Sequence, residues 1–285
     1  MSKGRRINHA YRVRQQPGIS SFFPYLSRTR TESVVYFLRR LDVTDALELV
    51  NRKKKEGLKI SLFTLLVTAG ARTFEKRPIL NRFVLGRRLY QRELFDVSYV
   101  VKKSLNDDGE ELLLTLPVDN SMRATEVAEK MAQKHEELRL KEETGLDRLM
   151  RWFGGLPRPV LRLVFALLRF LDFHGCVPAF IRNELPFYCS VFISNLGSIG
   201  VDAPFHHLYE LGTTSIFLAF GKPYRETVVR RDGTVQIRKL VNLNFTVDER
   251  ICDGYYLARS FDLFIRYMEN PETLFDSQDE TASDE

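Results

Sequence analysis

Residues 241–254 constrain this chain more than any other stretch. Val241, Leu243, Phe245 and Val247 alternate with Asn242, Asn244, Thr246 and Asp248. A period of two makes this a strand with one apolar and one polar face. The strand runs straight into Glu249-Arg250-Ile251-Cys252-Asp253-Gly254, and an amphipathic helix is predicted over roughly 254–268. A chain built this way must pack that helix back onto the apolar face, which calls for a sheet covered by helices.

The remainder reads in the same terms. Ser33 to Leu41 is a predicted strand. The segment 45–56 is a helix, with Thr44 as N-cap, Lys53, Lys54 and Lys55 in its last turn and Gly57 beyond. A mostly apolar helix follows over 61–76, closed by Pro78. Short strands are predicted at 82–85, 88–92, 95–103 and 111–118, with Asn106 to Gly109 as a hairpin turn between the last two. Asn120 or Ser121 can cap a charged helix running to about Glu143. After Pro186 come strands at 187–194, 214–220, 225–231 and 234–248, the last two joined by Asp232-Gly233.

The chain has 285 residues, 44% of them hydrophobic, enough to bury a substantial core. Charge is uneven. Lys3, Arg5, Arg6, Arg12, Arg14, Arg28 and Arg30 face no acid within residues 1–30, whereas residues 276–285 hold acids only. We expect a basic N-terminal arm over 1–23, one domain over 24–272 and an acidic disordered tail over 273–285. Cys176, Cys189 and Cys252 have neither disulfide nor metal spacing, so no metal site is expected and a reducing compartment is. No apolar run follows the basic start, so a cytoplasmic protein is expected. The basic arm lacks interleaved aromatics, so no nucleic-acid partner is expected.

Three ordered pieces carry a resemblance: Arg77-Pro78-Ile79-Leu80-Asn81-Arg82-Phe83, Ile193-Ser194-Asn195-Leu196-Gly197, and Asp248 to Gly254. Together they resemble the coenzyme-A-dependent acyltransferase superfamily, meaning chloramphenicol acetyltransferase and the catalytic core of the 2-oxoacid dehydrogenase complex acyltransferase component. The resemblance implies an α/β (α+β) fold, a two-layer sandwich in which helices pack on a mixed β-sheet. It also implies a homotrimer with active sites between subunits, and acyl-CoA as a co-substrate with no permanently bound cofactor. The complex components carry a lipoyl domain and a subunit-binding domain ahead of their cores. Here the core begins near residue 24, so a free-standing layout is expected.

In this family a histidine acts as general base toward a thiol or hydroxyl, and a hydroxyl holds the oxyanion. By position Ser194 is the oxyanion partner, and Asn195, His206 and His207 are expected to bind substrate. Asp253 matches the family's structural aspartate, expected to fix the turn with an arginine partner; capping the last helix is the plain alternative. Gly254 is expected to permit a tight backbone. The histidine position holds Glu249, a carboxylate of ordinary pKa about 4.3 where imidazole has about 6.5. Three readings stay open: Glu249 is a base raised by desolvation, or a structural carboxylate in a non-catalytic binding or scaffold module, or it yields the role to His206 or His207.

Leu156 to Phe173 forms a nearly all-apolar helix interrupted by Arg158, Arg162 and Arg169, too short and too charged to span a bilayer. It can be buried against the sheet or a subunit, form a lid over an acyl chain, or lie on a membrane surface.

Overall fold

The computed structural model describes residues 6–7, 9–13, 18–102, 111–140, 144–230 and 232–276. In chain order the strands are β1 (Arg6–Ile7), β2 (Ala10–Arg12), β3 (Val34–Asp42), β4 (Arg82–Leu85), β5 (Arg88–Arg92), β6 (Phe95–Lys102), β7 (Glu111–Val118), β8 (Val191–Asn195), β9 (Ile216–Phe220), β10 (Tyr224–Val229) and β11 (Val235–Asp248). The helices are α1 (Phe23–Leu26), α2 (Thr44–Lys55), α3 (Leu62–Lys76), α4 (Ala124–Arg139), α5 (Gly145–Gly154), α6 (Arg158–His174), α7 (Ala179–Arg182) and α8 (Gly254–Glu269).

The main sheet runs β3-β11-β9-β8-β6-β7, with β10 paired to the first half of β11. The β6–β8 and β8–β9 pairs are parallel and the others antiparallel, so the sheet is mixed. Val241, Leu243, Phe245 and Val247 point to one face, where α3 and α8 seal them; Phe245 and Phe261 meet with ring centroids 4.5 Å apart. The expected two-layer arrangement is the one observed.

The opposite face of β11 is polar yet buried, with Asn244, Thr246 and Asp248 at 4% exposure or less. The segment 202–206 lies across it as a strap. Asn244 Nδ2 donates to the Ala203 carbonyl (2.7 Å), Thr246 Oγ1 to the His206 carbonyl (2.5 Å), and Asn242 Nδ2 to Asp202 Oδ2 (2.8 Å). A buried polar strand face is tolerable only when its groups are paired in this way.

Several boundaries differ from the sequence expectation. Within the segment expected as a basic arm, β2 pairs with β5, and Ala10 is fully buried in a second sheet of order β1-β2-β5-β4. Leu274, inside the stretch expected as tail, is buried too, and Arg72 donates to the Thr273 and Asp276 carbonyls. Thr44 is the first residue of α2 and not its N-cap, a position held by Val43 without a side-chain cap; Asp42 Oδ1 accepts from the Thr44 N–H. Asn106 to Gly109 and Glu143 lie outside the described residues. Helix α6 is not buried against the sheet, since only Leu168 and Asp172 of it are buried. Its last turn instead crosses the β4–β5 turn, where a Cβ at Gly86 would sit 2.6 Å from the Phe173 carbonyl oxygen.

Candidate active site

The turn after β11 is organised by a pair that the alternation hides. Arg250 Nε and Nη2 donate to Asp248 Oδ1 (2.8 Å) and Oδ2 (2.7 Å), with the two side chains 3% and 0% exposed. Arg250 Nη1 also donates to the Ser27 carbonyl, 3.0 Å away. Glu249 stands between them, exposed, and its N–H donates to the Ser33 carbonyl. The arginine partner expected for Asp253 thus belongs to Asp248. Asp253 is exposed and caps α8, its Oδ1 accepting from the Tyr256 N–H at 2.8 Å. Nor is the backbone at Gly254 tight, because a Cβ there would meet nothing within 4 Å.

Ser194 and Asn195 end β8. In β8, Val191 and Ile193 face the helices while Phe192 faces the strap side, so Ser194 shares the strap side and Asn195 the helix side. Asn195 Oδ1 accepts from the Ser198 N–H (3.1 Å) and holds the turn that follows. Gly197 is required there: a Cβ would lie 2.6 Å from the Gly221 carbonyl oxygen.

Register separates the two expected catalytic positions. Ser194 pairs with Ala219, and Ala219 with Asn244. Glu249 is five residues beyond Asn244, about 16 Å along the strand at ~3.3 Å per residue. The two therefore stand at opposite ends of the sheet within one chain.

His206 is closer to Ser194 in register. Its ring stacks on Phe217 at 4.1 Å and 3°, and Phe217 lies two residues before Ala219 on the same face. His206 Nδ1 is 2.8 Å from the His207 carbonyl, which can only accept. Nδ1 therefore carries the proton and leaves Nε2 as the basic nitrogen. Burial holds the His206 pKa below its ordinary value, opposed by that hydrogen bond and aided by nearby His207. His207 is exposed, with its ring against His206 and Tyr209.

A groove of about 470 Å3 opens on the helix side of this sheet end, bordered by Asn195, Ser198, Lys59 and His135. His135 was not singled out from the sequence, because α4 reads as a charged helix and only the fold carries it to β8. Its Nε2 is 3.0 Å from the Tyr99 hydroxyl. Burial lowers the His135 pKa, with Arg139 adding to the effect. Neither enclosed cysteine is a ready nucleophile: burial, reinforced by Asp253, pushes Cys252 up to about 12, and burial also raises Cys189.

Residues 189–276 match the family model of the 2-oxoacid dehydrogenases acyltransferase catalytic domain. The fold is similar to that of a probable dihydrolipoamide acetyltransferase from Listeria monocytogenes, with TM-score 0.57 and 14% identity over 90% of this chain and 95% of that one. It is also similar to the cubic core of a pyruvate dehydrogenase multienzyme complex, with TM-score 0.59 and 16% identity over 92% and 93%. A third is the dihydrolipoamide acetyltransferase of Azotobacter vinelandii, solved for the role of a serine, a histidine and an asparagine in its catalytic mechanism, with TM-score 0.58 and 15% identity over 92% and 94%. Comparison with curated proteins yields no match. In fold throughout, and in sequence over 189–276, the chain resembles the catalytic cores of the 2-oxoacid dehydrogenase acyltransferases.

Proposed function

We propose that the protein is an acyltransferase that moves an acyl group from acyl-CoA to a thiol or hydroxyl acceptor. The carrying observation is that the matched segment 189–276 contains both the Ser194 strand end and the Glu249 turn. In the Azotobacter vinelandii enzyme the named histidine and asparagine are four residues apart, as are Glu249 and Asp253 here.

The active form we infer is a homotrimer, with Ser194 of one subunit facing Glu249 of the next. The opposite-end placement within one chain supports this, since neither residue can reach the other without a second copy. Acceptor oxygen or sulfur attacks the thioester carbonyl while the base removes its proton. The Ser194 hydroxyl donates to the oxyanion. Collapse then breaks the carbon–sulfur bond, and the departing thiolate takes the proton back from the base. Glu249 suits this step only if the subunit boundary removes it from water, because an exposed carboxylate is a weak match for a thiol of pKa about 8.5.

A second reading makes His206 the base, and its acceptor Nε2 on the Ser194 face favours it. The alternative class, a non-catalytic trimeric binding or scaffold module, rests on the missing histidine at 249. Among the described residues no helix is long and apolar enough to cross a membrane. A cytoplasmic protein, peripheral to a membrane at 156–173, is the placement we propose.

Release of free thiol from acetyl-, long-chain and aromatic acyl-CoA tests the reading in wild type, Glu249→Gln, Ser194→Ala and His206→Gln. Turnover lost in Glu249→Gln and Ser194→Ala supports the first reading, whereas loss in His206→Gln with Glu249→Gln active supports the second. Absence of turnover with every donor, in wild type and in Glu249→His alike, supports the module.

A further inference from the structure

Helix α6 turns large apolar side chains toward a side that no described residue covers. Leu163, Leu167 and Phe170 are 70%, 55% and 60% exposed. At 100° per residue they share an arc of about 60°. Arg158, Arg162 and Arg169, all three exposed, form a stripe about 130° around the helix from that arc, on its polar side. On α5, Trp152 adds another exposed ring, which touches Phe153, and Phe153 touches Phe165 of α6. Residues 145–182 contain six arginines against two aspartates, and one of those, Asp172, is buried.

At the C-terminal end of α6 is a recess of about 210 Å3, between Phe173, the β4–β5 turn and the segment after α1. Arg28, Arg87 and Arg169 line it together with Asp172, Glu210 and the Asp248-paired Arg250; none of the first three has an ion pair among the described residues, and Arg87 lies over the Tyr25 ring. Arg30, 5% exposed, lines it too. Its terminal nitrogens donate to the Glu210, Gly212 and Val84 carbonyls, but its buried Nε has no hydrogen-bond partner. Five arginines against two carboxylates leave the recess net positive, and with a buried donor unpaired beside it, it suits an anion.

We propose that α6 lies flat on a membrane rich in anionic lipid, with the Leu163–Leu167–Phe170 arc at the headgroup–acyl boundary and a lipid phosphate in the arginine recess. The arrangement is that of an interfacial helix: one apolar arc, a basic stripe on the polar side and an aromatic ring on the neighbouring helix. A second copy of the same face is a poor occupant, because it would cover the apolar arc and leave the arginine stripe without counter-charge. Anionic headgroups neutralise that stripe, each arginine adding its own attraction. This docking does not depend on acyl transfer.

Flotation with phosphatidylcholine vesicles, with and without phosphatidylglycerol, tests it on the full chain. Wild type should float with the anionic vesicles and lose binding as salt rises. Replacing Arg158, Arg162 and Arg169 by Gln should weaken binding by on the order of a hundredfold. Leu163→Ser/Leu167→Ser should abolish it, with an unchanged melting temperature showing that the fold is intact. Wild type failing to bind anionic vesicles at low salt overturns the proposal, as does undiminished binding in both variants. So does a change of oligomeric state in Leu163→Ser/Leu167→Ser, which would assign the face to a subunit contact. Arg28→Gln/Arg87→Gln floating as well as wild type, while inorganic phosphate still raises the wild-type melting temperature without vesicles, would assign the recess to a soluble anion and overturn the lipid-phosphate seat.

Discussion

Arg250 closes a two-bonded fork on Asp248 across the one residue, Glu249, that they flank. Both charges are out of water, so each neutralises a penalty that the other would otherwise carry. Arg250→Met should therefore destabilise the protein by about 3–5 kcal/mol. Asp248→Leu/Arg250→Met should cost much less than the sum of the two single changes. Urea unfolding of the three variants measures the coupling, and strict additivity would contradict it.

Asp253 holds the first turn of α8 through one backbone hydrogen bond. Asp253→Ala should lose about 1 kcal/mol, while Asp253→Ser should stay close to wild type. A loss of several kcal/mol in thermal unfolding would mean that Asp253 does more than cap.

The opposite-end placement of Ser194 and Glu249 makes a mixing experiment decisive for the proposed trimer. Ser194→Ala and Glu249→Gln should each be inactive alone. Subunits mixed in equal amounts under reassembly should recover roughly a quarter of wild-type activity, since each boundary draws its two residues from different chains. Two inactive parents that stay inactive after mixing would rule out a shared site.

His135 sets a pH dependence whose sign follows from its lowered pKa. The unfolded chain, with an ordinary imidazole near 6.5, takes the proton before the folded one does. The stability contribution is present above about pH 6.5 and is lost as pH falls toward the folded value. His135→Gln should flatten the fall in melting temperature between about pH 7 and 5.

Much of the fold is legible because strand alternation and helix capping are local. The bounds of β4, β5 and β7 coincide with those read from the residues, and β11 and α8 differ from theirs by a single residue. Helix α5 was missed, although Thr144 and Asp147 form a reciprocal capping box across three residues. Leu146, Leu149, Met150 and Phe153 keep helical spacing, but the helix is only ten residues long and Gly145, Gly154 and Gly155 bracket it. The site was less legible than the fold. Asp248 and Arg250 sit in a polar register that reads as solvent-facing, and only the chain near Ser27 and Ser33 encloses them. His135 is 60 residues from Asn195 in sequence, so only the packing of α4 against α3 and β7 brings it to the groove.

The way β11 grips the 202–206 strap leaves room for change. Asn244 and Thr246 hold main-chain oxygens, so they fix the path of that segment without regard to which side chains it bears. Pro204, Phe205 and His207 can then be exchanged while the loop keeps its course over the Ser194 face. A library confined to those three positions should vary the chemistry over that face without remaking its framework.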